Sequence, residues 1–340
     1  MHNVSNLKTW LRRLTLSSVI LALFVVVLGA YVRLNDAGLG CPDWPGCYGH
    51  IDVPQTSDEI AKANAAYPEM QVDVKKAWYE MIHRYFASLL GFLIVIMFGL
   101  SLKIKQYRVF AGSLLALVIF QGMLGMWTVT LLLKPLVVMS HLLGGMTLLS
   151  LLWWFYLKQR YLSQKVKSTL STFAVITTLV LAIQIGLGGW TSTNYAATAC
   201  PDFPTCQGEY WPDNMDFNEA FVMWRGLGIN YEGGVLRHPA EVAIHFTHRL
   251  WAIVATLFIL LLGIKSVKYS KRTEKIYSNE LKLSAIAMKT LLITQLLVAT
   301  LMIKQSFPLG ISTAHNGFAA LLLLATVTVL YFSFAKKITD

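Results

Sequence analysis

The sequence predicts an all-α integral membrane protein made of two copies of a four-helix unit. Of its 340 residues, 55% are hydrophobic and only 14% are charged, and the mean hydropathy is +0.54. A soluble domain cannot hide that much apolar surface from water, so the bilayer has to be the solvent. Eight apolar segments, and a set of motifs that occurs twice, lead to the same prediction.

The eight predicted spanning helices divide evenly between the two halves of the chain. Each is close to the ~20 residues that cross ~30 Å of hydrocarbon. An even number per half means that both halves enter the membrane in the same direction, as parallel repeats related by an axis along the membrane normal. The N-terminal half covers residues 1–160 and the C-terminal half covers 161–340. The helices cover residues 14–34, 78–102, 109–131, 136–157, 169–190, 241–264, 285–304 and 310–334.

Lysine and arginine residues set the predicted orientation. They concentrate in the loops on one side, including the segments 8–13, 103–108 and 265–272. By the positive-inside rule these loops and both termini are cytoplasmic, and the long loops 35–77 and 191–240 lie outside. The net charge is +11, but the positively charged residues lie between apolar runs rather than along one face. This distribution argues against a nucleic-acid partner.

The first apolar run is interpreted as a retained helix rather than a cleaved signal peptide. It has a repeat partner in the fifth helix, and the two end in similar sequences, 29–35 and 188–194. No presequence rich in Arg and Ser precedes it. We therefore expect a bacterial inner membrane protein whose outer loops are periplasmic.

Two outer-loop segments of nearly the same sequence indicate the duplication. One runs from Cys41 to Cys47 and the other from Cys200 to Cys206, and both read Cys-Pro-Asp-aromatic-Pro-x-Cys. Zinc sites usually have two to four residues between cysteines and further ligands nearby. In an oxidising compartment the simplest interpretation is one structural disulfide per loop. A redox-active dithiol that exchanges electrons during turnover is the alternative.

Four of the eight histidines recur at matched positions. His83 and His248 each precede an arginine, and His141 has a counterpart in His315. All four lie near the start of an even-numbered helix, so they share a depth in the outer third of the membrane. A single such histidine could merely hydrogen-bond to a neighbouring helix. Four at one depth indicate a functional site, because ionisable groups are costly there.

Two histidines in each half indicate one metal centre in each half. Zinc would need further ligands, and copper would favour additional His, Cys or Met. Haem iron needs only two axial ligands, imidazole is a common one, and a four-helix unit can hold the ring. Arg84 and Arg249 directly follow a proposed ligand. They could pair with haem propionates or reach out to lipid phosphates.

The two halves differ beside one histidine. Glu80 lies three residues before His83, on the same helix face, and His245 replaces it in the second half. A carboxylate beside only one centre indicates chemistry in the first half and electron storage in the second, with Glu80 as a general base or proton guide. The alternative is an interfacial carboxylate paired with Arg84 or Lys76.

Taken together, these motifs resemble the haem A synthase family, which includes the bacterial enzyme and its mitochondrial relative. The resemblance spans residues 14–334. It implies eight spanning helices in two similar halves, and an oxidoreductase that converts a methyl group of haem O to the formyl group of haem A for terminal cytochrome oxidases. It rests on Glu80 to Arg84, His141, the pair His248 and Arg249, His315, and the two cysteine loops.

By position, the resemblance implies a role for each site residue. His83 and His141 would flank the substrate haem O, with Glu80 as the essential acidic residue beside it. His248 and His315 would ligate a resident haem b, the cofactor. The methyl group would be hydroxylated successively, through an alcohol and a hydrate that loses water. His245 matches no family role.

The cysteines and the partners also follow from the resemblance. Cys41 and Cys47 match the family's first-loop pair, which has been discussed for substrate transfer or redox coupling. Cys200 and Cys206 match a second pair that only some members have. The implied partners are haem O, an electron acceptor that the sequence does not identify, haem O synthase, cytochrome oxidase assembly factors and membrane lipid, and a homo-oligomer stays open.

Two other functions compete with the enzyme. A bis-histidine b-type electron carrier, such as a quinol-linked cytochrome, would share the four histidines but needs no carboxylate beside just one haem. A transporter with repeated halves would need helices broken in mid-membrane, whereas Pro135 and Pro308 lie at helix starts. Glu80 therefore favours the enzyme.

Overall fold

The fold is a bundle of long helices. The computed structural model describes residues 2–161, 164–165, 168–272 and 277–336. Within these residues, eight helices are long and apolar enough to cross a membrane, which confirms the predicted number. They are α1 (His2–Leu34), α3 (Val74–Ser101), α4 (Lys105–Thr130), α5 (Pro135–Arg160), α6 (Thr169–Thr193), α8 (His238–Arg272), α9 (Ser278–Lys304) and α10 (Leu309–Ser333).

The helices extend past the apolar runs that predicted them. α8 was expected over 241–264 and α9 over 285–304, but α8 runs from His238 to Arg272 and α9 begins at Ser278. The prediction for α1 began at residue 14, and the helix begins at His2. Hydropathy marks only the part of a helix that lies in hydrocarbon, whereas backbone hydrogen bonding continues into its polar ends.

Each half of the chain forms a closed ring of four helices. In the first half, α1 contacts α3 and α5, and α4 contacts the same two helices. In the second half, α6 contacts α8 and α10, and α9 contacts the same two. The second and fourth spans of each half therefore stand diagonally across their ring. These are α3 and α5 in the first half and α8 and α10 in the second.

The two rings meet along α5 and α10. α5 contacts both α6 and α10, and α1 contacts α10. The indole of Trp153 donates a 2.7 Å hydrogen bond to the hydroxyl of Thr328 across this boundary. Among the described residues, one pair of two-residue strands forms, β1 (Gln164–Lys165) with β2 (Ala335–Lys336).

Large apolar side chains cover the outside of the bundle. Phe92, Leu179 and Ile253 lie well inside spanning helices, yet they are 61%, 59% and 58% exposed. Such a surface is unfavourable in water and suits contact with lipid chains. The fold is therefore that of a multi-pass membrane protein.

The two long loops carry a little helical structure and pack differently. α2 (Ser57–Ala66) lies in the first loop, and a 3₁₀-helix (Ala196–Ala199) and α7 (Phe217–Ala220) lie in the second. In the first loop, Tyr48 packs against Ala77 and Met81 of its own half. The second loop crosses to the first half, where Tyr231 is buried against the α4–α5 hairpin.

Candidate functional site

Each ring of helices brings two of the predicted histidines together. His83 lies on α3 and His141 on α5, the two diagonal helices of the first ring. His248 on α8 and His315 on α10 repeat this arrangement. All four lie six to ten residues after the start of their helices.

Glycines on α1 and α6 make room for two of the rings. A Cβ atom added at Gly29 would lie 2.9 Å from Cε1 of His83, and one added at Gly188 would lie 3.0 Å from Cε1 of His248. Both distances are shorter than van der Waals contact, so any larger residue would push the imidazole aside. The two glycines are therefore part of the histidine sites.

Glutamines on α4 and α9 accompany the other two histidines. Nε2 of Gln295 lies 3.2 Å from Nδ1 and 3.3 Å from Nε2 of His315. Gln121 is its counterpart, but its Nε2 is buried with no hydrogen-bond partner and packs against Gly144 of α5. The two halves thus place the same amide differently.

Three of the four imidazoles keep a buried nitrogen without a partner. Nδ1 of His83, His141 and His248 makes no hydrogen bond within the part of the chain that the structure describes. Each of these side chains nevertheless retains some accessible surface. An unpaired buried polar atom costs about 1–3 kcal/mol. Rings left in this state are suited to binding another group.

The donor set fits haem iron better than a metal ion held by protein alone. Across the described ranges, no group of three or more His, Cys, Asp or Glu side chains could hold a metal ion. Zinc and copper sites usually need at least three such ligands. Two imidazoles from diagonal helices would suffice to hold a haem, which needs only two protein ligands.

Arg84 and Glu80 fasten the first disulfide loop to α3. The Arg84 guanidinium donates to the carbonyl oxygens of Asp43, at 3.0 Å, and Gly46, and to Oε1 of Glu80, at 2.5 Å. Oε2 of Glu80 accepts from the backbone N–H of Cys41 at 2.9 Å. Glu80 is thus paired with Arg84, one of the two partners that the sequence suggested, and it is only 5% exposed.

Arg249 fastens the second disulfide loop in the same way. Its guanidinium donates at 2.8 Å to the carbonyl oxygens of Asp202, Thr205 and Cys200. Its Nε lies 3.1 Å from Nε2 of His245. His245 therefore occupies the place of Glu80 and orients the arginine, a role that the sequence left unassigned.

Both cysteine pairs form disulfides, the pairing that the sequence predicts. Cys41 is bonded to Cys47 and Cys200 to Cys206, and all four residues are at most 1% exposed. The loops are shaped by an aspartate in each. Asp43 accepts from the N–H groups of residues 48 and 49, and Asp202 accepts from those of residues 207 and 208.

The second aspartate also binds a hydroxyl. The Thr205 side chain donates to the carboxylate of Asp202, and this hydrogen bond, with the two backbone N–H groups, holds the pKa of Asp202 below its usual range. The turn is therefore built around an ionised carboxylate at neutral pH.

Sequence reasoning missed the glutamines and the use of the arginines. Gln121 and Gln295 share the 174-residue offset of His141 and His315, a signal that an alignment of the two halves could have found. Gly29 and Gly188 share the 159-residue offset of the cysteines. The loop carbonyls that bind the arginines had no comparable signal, because backbone atoms leave no trace in a sequence.

Comparison with known proteins gives consistent matches over nearly the whole chain. The family model described as cytochrome oxidase assembly protein matches residues 12–327. The haem A synthase of Shewanella oneidensis is 44% identical over 337 residues, which cover 97% of each chain. The haem A synthase of Beijerinckia indica subsp. indica is 25% identical over 334 residues, 90% of this chain and 88% of that one. The haem A synthase of Brucella ovis is 24% identical over 329 residues, 89% and 86% of the two chains.

Proposed function

Since this chain belongs to the family of cytochrome oxidase assembly proteins, we propose that it acts as a haem A synthase, an oxidoreductase that converts a methyl group of haem O to the formyl group of haem A. Its relatives carry that name over nearly their full length. The observation that carries the proposal is the pair of histidines in each ring, with a carboxylate beside only one pair.

The two halves divide the work. In residues 1–160, His83 and His141 flank the substrate haem O. In residues 161–340, His248 and His315 hold haem b as the resident cofactor. The unpaired imidazole nitrogens and the close glycines support these assignments. The bound haem supplies the redox chemistry, and the chain supplies binding, orientation and electrostatics.

Glu80 is the acid–base residue of the first half. It lies one helical turn before His83, and Arg84 and the Cys41 N–H fix both of its oxygens. Held in this way, the carboxylate can pass protons between the substrate site and the outer loop. Arg84 and Arg249 would contact a propionate only through the N–H donors that the loop carbonyls leave free.

The disulfides serve structure rather than turnover. Thiol–disulfide exchange needs an attacking thiolate to reach a sulfur atom, and the four buried cysteines offer little access. Each bond closes a short loop that an arginine then fixes to its helix. Disulfides of this size contribute roughly 2–3 kcal/mol by restricting the unfolded chain.

The chain lies in a bacterial inner membrane with both termini cytoplasmic and both disulfide loops periplasmic. Its halves are parallel repeats about an axis along the membrane normal. The farnesyl tail of haem O suits this location because its apolar surface belongs in hydrocarbon. Haem O synthase, oxidase assembly factors and an electron acceptor are the expected partners.

Extraction of the bound haems tests the proposal. The protein is purified in detergent from cells supplied with haem O, and the acid-extracted haems are separated by mass. Haem b together with haem O or haem A is the expected result, and Glu80→Ala should leave haem O unconverted. Haem b alone, at two per chain and unaffected by Glu80→Ala, would instead identify an electron carrier.

A further inference from the structure

Two lysines stand at the outer rim of the first ring. Lys76 on α3 lies seven residues before His83, and Lys134, which immediately precedes α5, lies seven residues before His141. Seven residues are two helical turns, or ~10 Å, so both lysines lie above the proposed substrate site. The matching positions in the second half, by the same offsets, are Glu241 and Pro308. At these two matched positions, only the first half has lysines.

A segment of the second half reaches across to the first of these cations. We call residues Trp224–Glu232 the strap. Nζ of Lys134 donates to the carbonyl oxygens of Arg225, at 2.6 Å, and Gly226, at 2.9 Å, and lies 3.4 Å from the centre of the Trp224 ring. Lys134 is only 2% exposed. This end of the strap is firmly anchored.

The other end of the strap combines a backbone hydrogen bond with a weak ion pair. The N–H of Tyr231 donates to the carbonyl oxygen of Leu132 at 3.1 Å. Nζ of Lys76 lies 3.8 Å from Oε1 of Glu232, and the two side chains are 39% and 36% exposed. Ion pairs of this kind contribute little, because water screens them. Gly228 and Gly233 have φ values of +77° and +80°, a backbone region that glycine adopts without steric cost, so the chain turns on either side of Tyr231 and Glu232.

Between its two ends, the strap closes the outer end of the first ring. Tyr231 is 2% exposed and packs with Leu39, from the loop after α1, and with Val129 and Leu133 of the α4–α5 hairpin. Its hydroxyl is buried and has no hydrogen-bond partner in the described part of the chain. A side chain from the second half is thus buried against the outer end of the first half.

We propose that the strap is a lid over the first-half site, and that Glu232 is an internal carboxylate which a propionate of the haem substrate displaces from Lys76. This inference rests on the proposed function. A substrate has to enter and leave, whereas a resident cofactor does not, which accounts for a releasable cover on one half only. The propionate edge of haem faces the charged rim, since its farnesyl tail belongs in hydrocarbon.

Haem O binding to the purified full-length protein tests the exchange of carboxylates. Followed by Soret absorbance, the affinity should fall about tenfold in Lys76→Gln, which loses a charge-assisted contact. It should rise roughly two- to fivefold in Glu232→Gln, which removes the internal competitor. Lys75→Gln, one residue away on α3, is the matched control and should change nothing. The dimethyl ester of haem O, which has no free carboxylates, should bind all four proteins alike.

Cysteine labelling tests the movement. All four cysteines are in disulfides, so a cysteine introduced by Tyr231→Cys is the single target for a membrane-impermeant maleimide. Haem O should raise its labelling rate several-fold. Tyr48→Cys, equally buried at 4% but in the loop that packs on its own half, should not respond. An unchanged rate at position 231 overturns the lid.

The outcomes separate this inference from the proposed function. Haem O binding that needs His83 but ignores both Lys76→Gln and Glu232→Gln overturns the lid and leaves the enzyme standing. Haem O binding that is unaffected by His83→Ala overturns the proposed function, and the lid with it. Lys76 and Glu232 lie at the surface, so their substitutions should fold and decide the matter even if Tyr231→Cys does not.

Discussion

The two halves of the chain share a scaffold and differ in the groups around it. In each half, a glycine packs against one histidine, and an arginine donates hydrogen bonds to the carbonyl oxygens of a disulfide loop. They differ at Glu80 against His245, at the placement of two glutamines, and at the lysines of the rim. The matched positions that stayed alike surround the histidine pairs, and those that diverged point to different roles for the two halves.

The histidines should give the largest contrast. His248→Ala should lose haem b, and haem O conversion with it, because one axial ligand cannot retain the cofactor. His83→Ala should keep haem b and lose haem O, for the same reason. Acid extraction and mass separation of the haems would measure both. Loss of the same haem from the two variants would mean that the halves are not specialised.

The residues beside the histidines should give the next largest contrast. Glu80→Gln should lower the haem O conversion rate at least about 100-fold, because an amide cannot carry the proton and cannot accept from both Arg84 and the Cys41 N–H. His245→Gln, which can still accept from Arg249, should lower it less than about tenfold. Haem b content, measured in the same samples, should stay unchanged. Equal losses would show that haem O conversion depends on the hydrogen bonds between the arginine and the disulfide loop, and that it does not depend on the carboxylate.

Substitution of the glycines should give a smaller difference between the two halves, seen in how tightly each retains its haem. Gly188→Ala should weaken haem b retention and Gly29→Ala haem O retention, each by about 1–3 kcal/mol of steric cost. Transfer of haem to an excess of a soluble acceptor protein would measure both. Gly91→Ala on α3 is the control, since no atom lies within 4 Å of its added Cβ. An effect of Gly188→Ala on haem O alone would reverse the assignment of the halves.

The glutamines should give the smallest contrast. Gln295→Leu removes the hydrogen bond to His315, about 0.5–1.5 kcal/mol, and should shift the reduction potential of haem b. Gln121→Leu, in the other half, should leave that potential where it was. A redox titration followed by absorbance distinguishes them. Shifts of equal size would mean that the two amides act on one haem.

Much of the fold followed from the sequence because the membrane constrains it so strongly. The eight apolar runs predicted the eight spanning helices. The repeat of the histidine motifs predicted that each half carries one pair of histidines. The ends of α8 and α9 did not follow, because a helix continues after its side chains leave hydrocarbon. The strap did not follow either, since a loop from one half that folds over the other leaves no periodic signal.

The site was predicted unevenly. Cys41 with Cys47, and Cys200 with Cys206, could be paired by spacing alone, and the structure bonds them. Arg84 and Arg249 were expected to bind propionates or lipid, but most of their contacts go to loop carbonyls. The haem assignments remain predictions for the experiments above.

The position of α10 has a consequence for how the protein is made. This last helix contacts α1, α5, α6 and α9, and it carries His315. It is made after the other seven described spans, so its contacts with α1 and α5 and the second histidine pair form only once α10 has been inserted. A chain that stalls before α10 would be presented to quality-control proteases with the faces that α10 covers open to lipid.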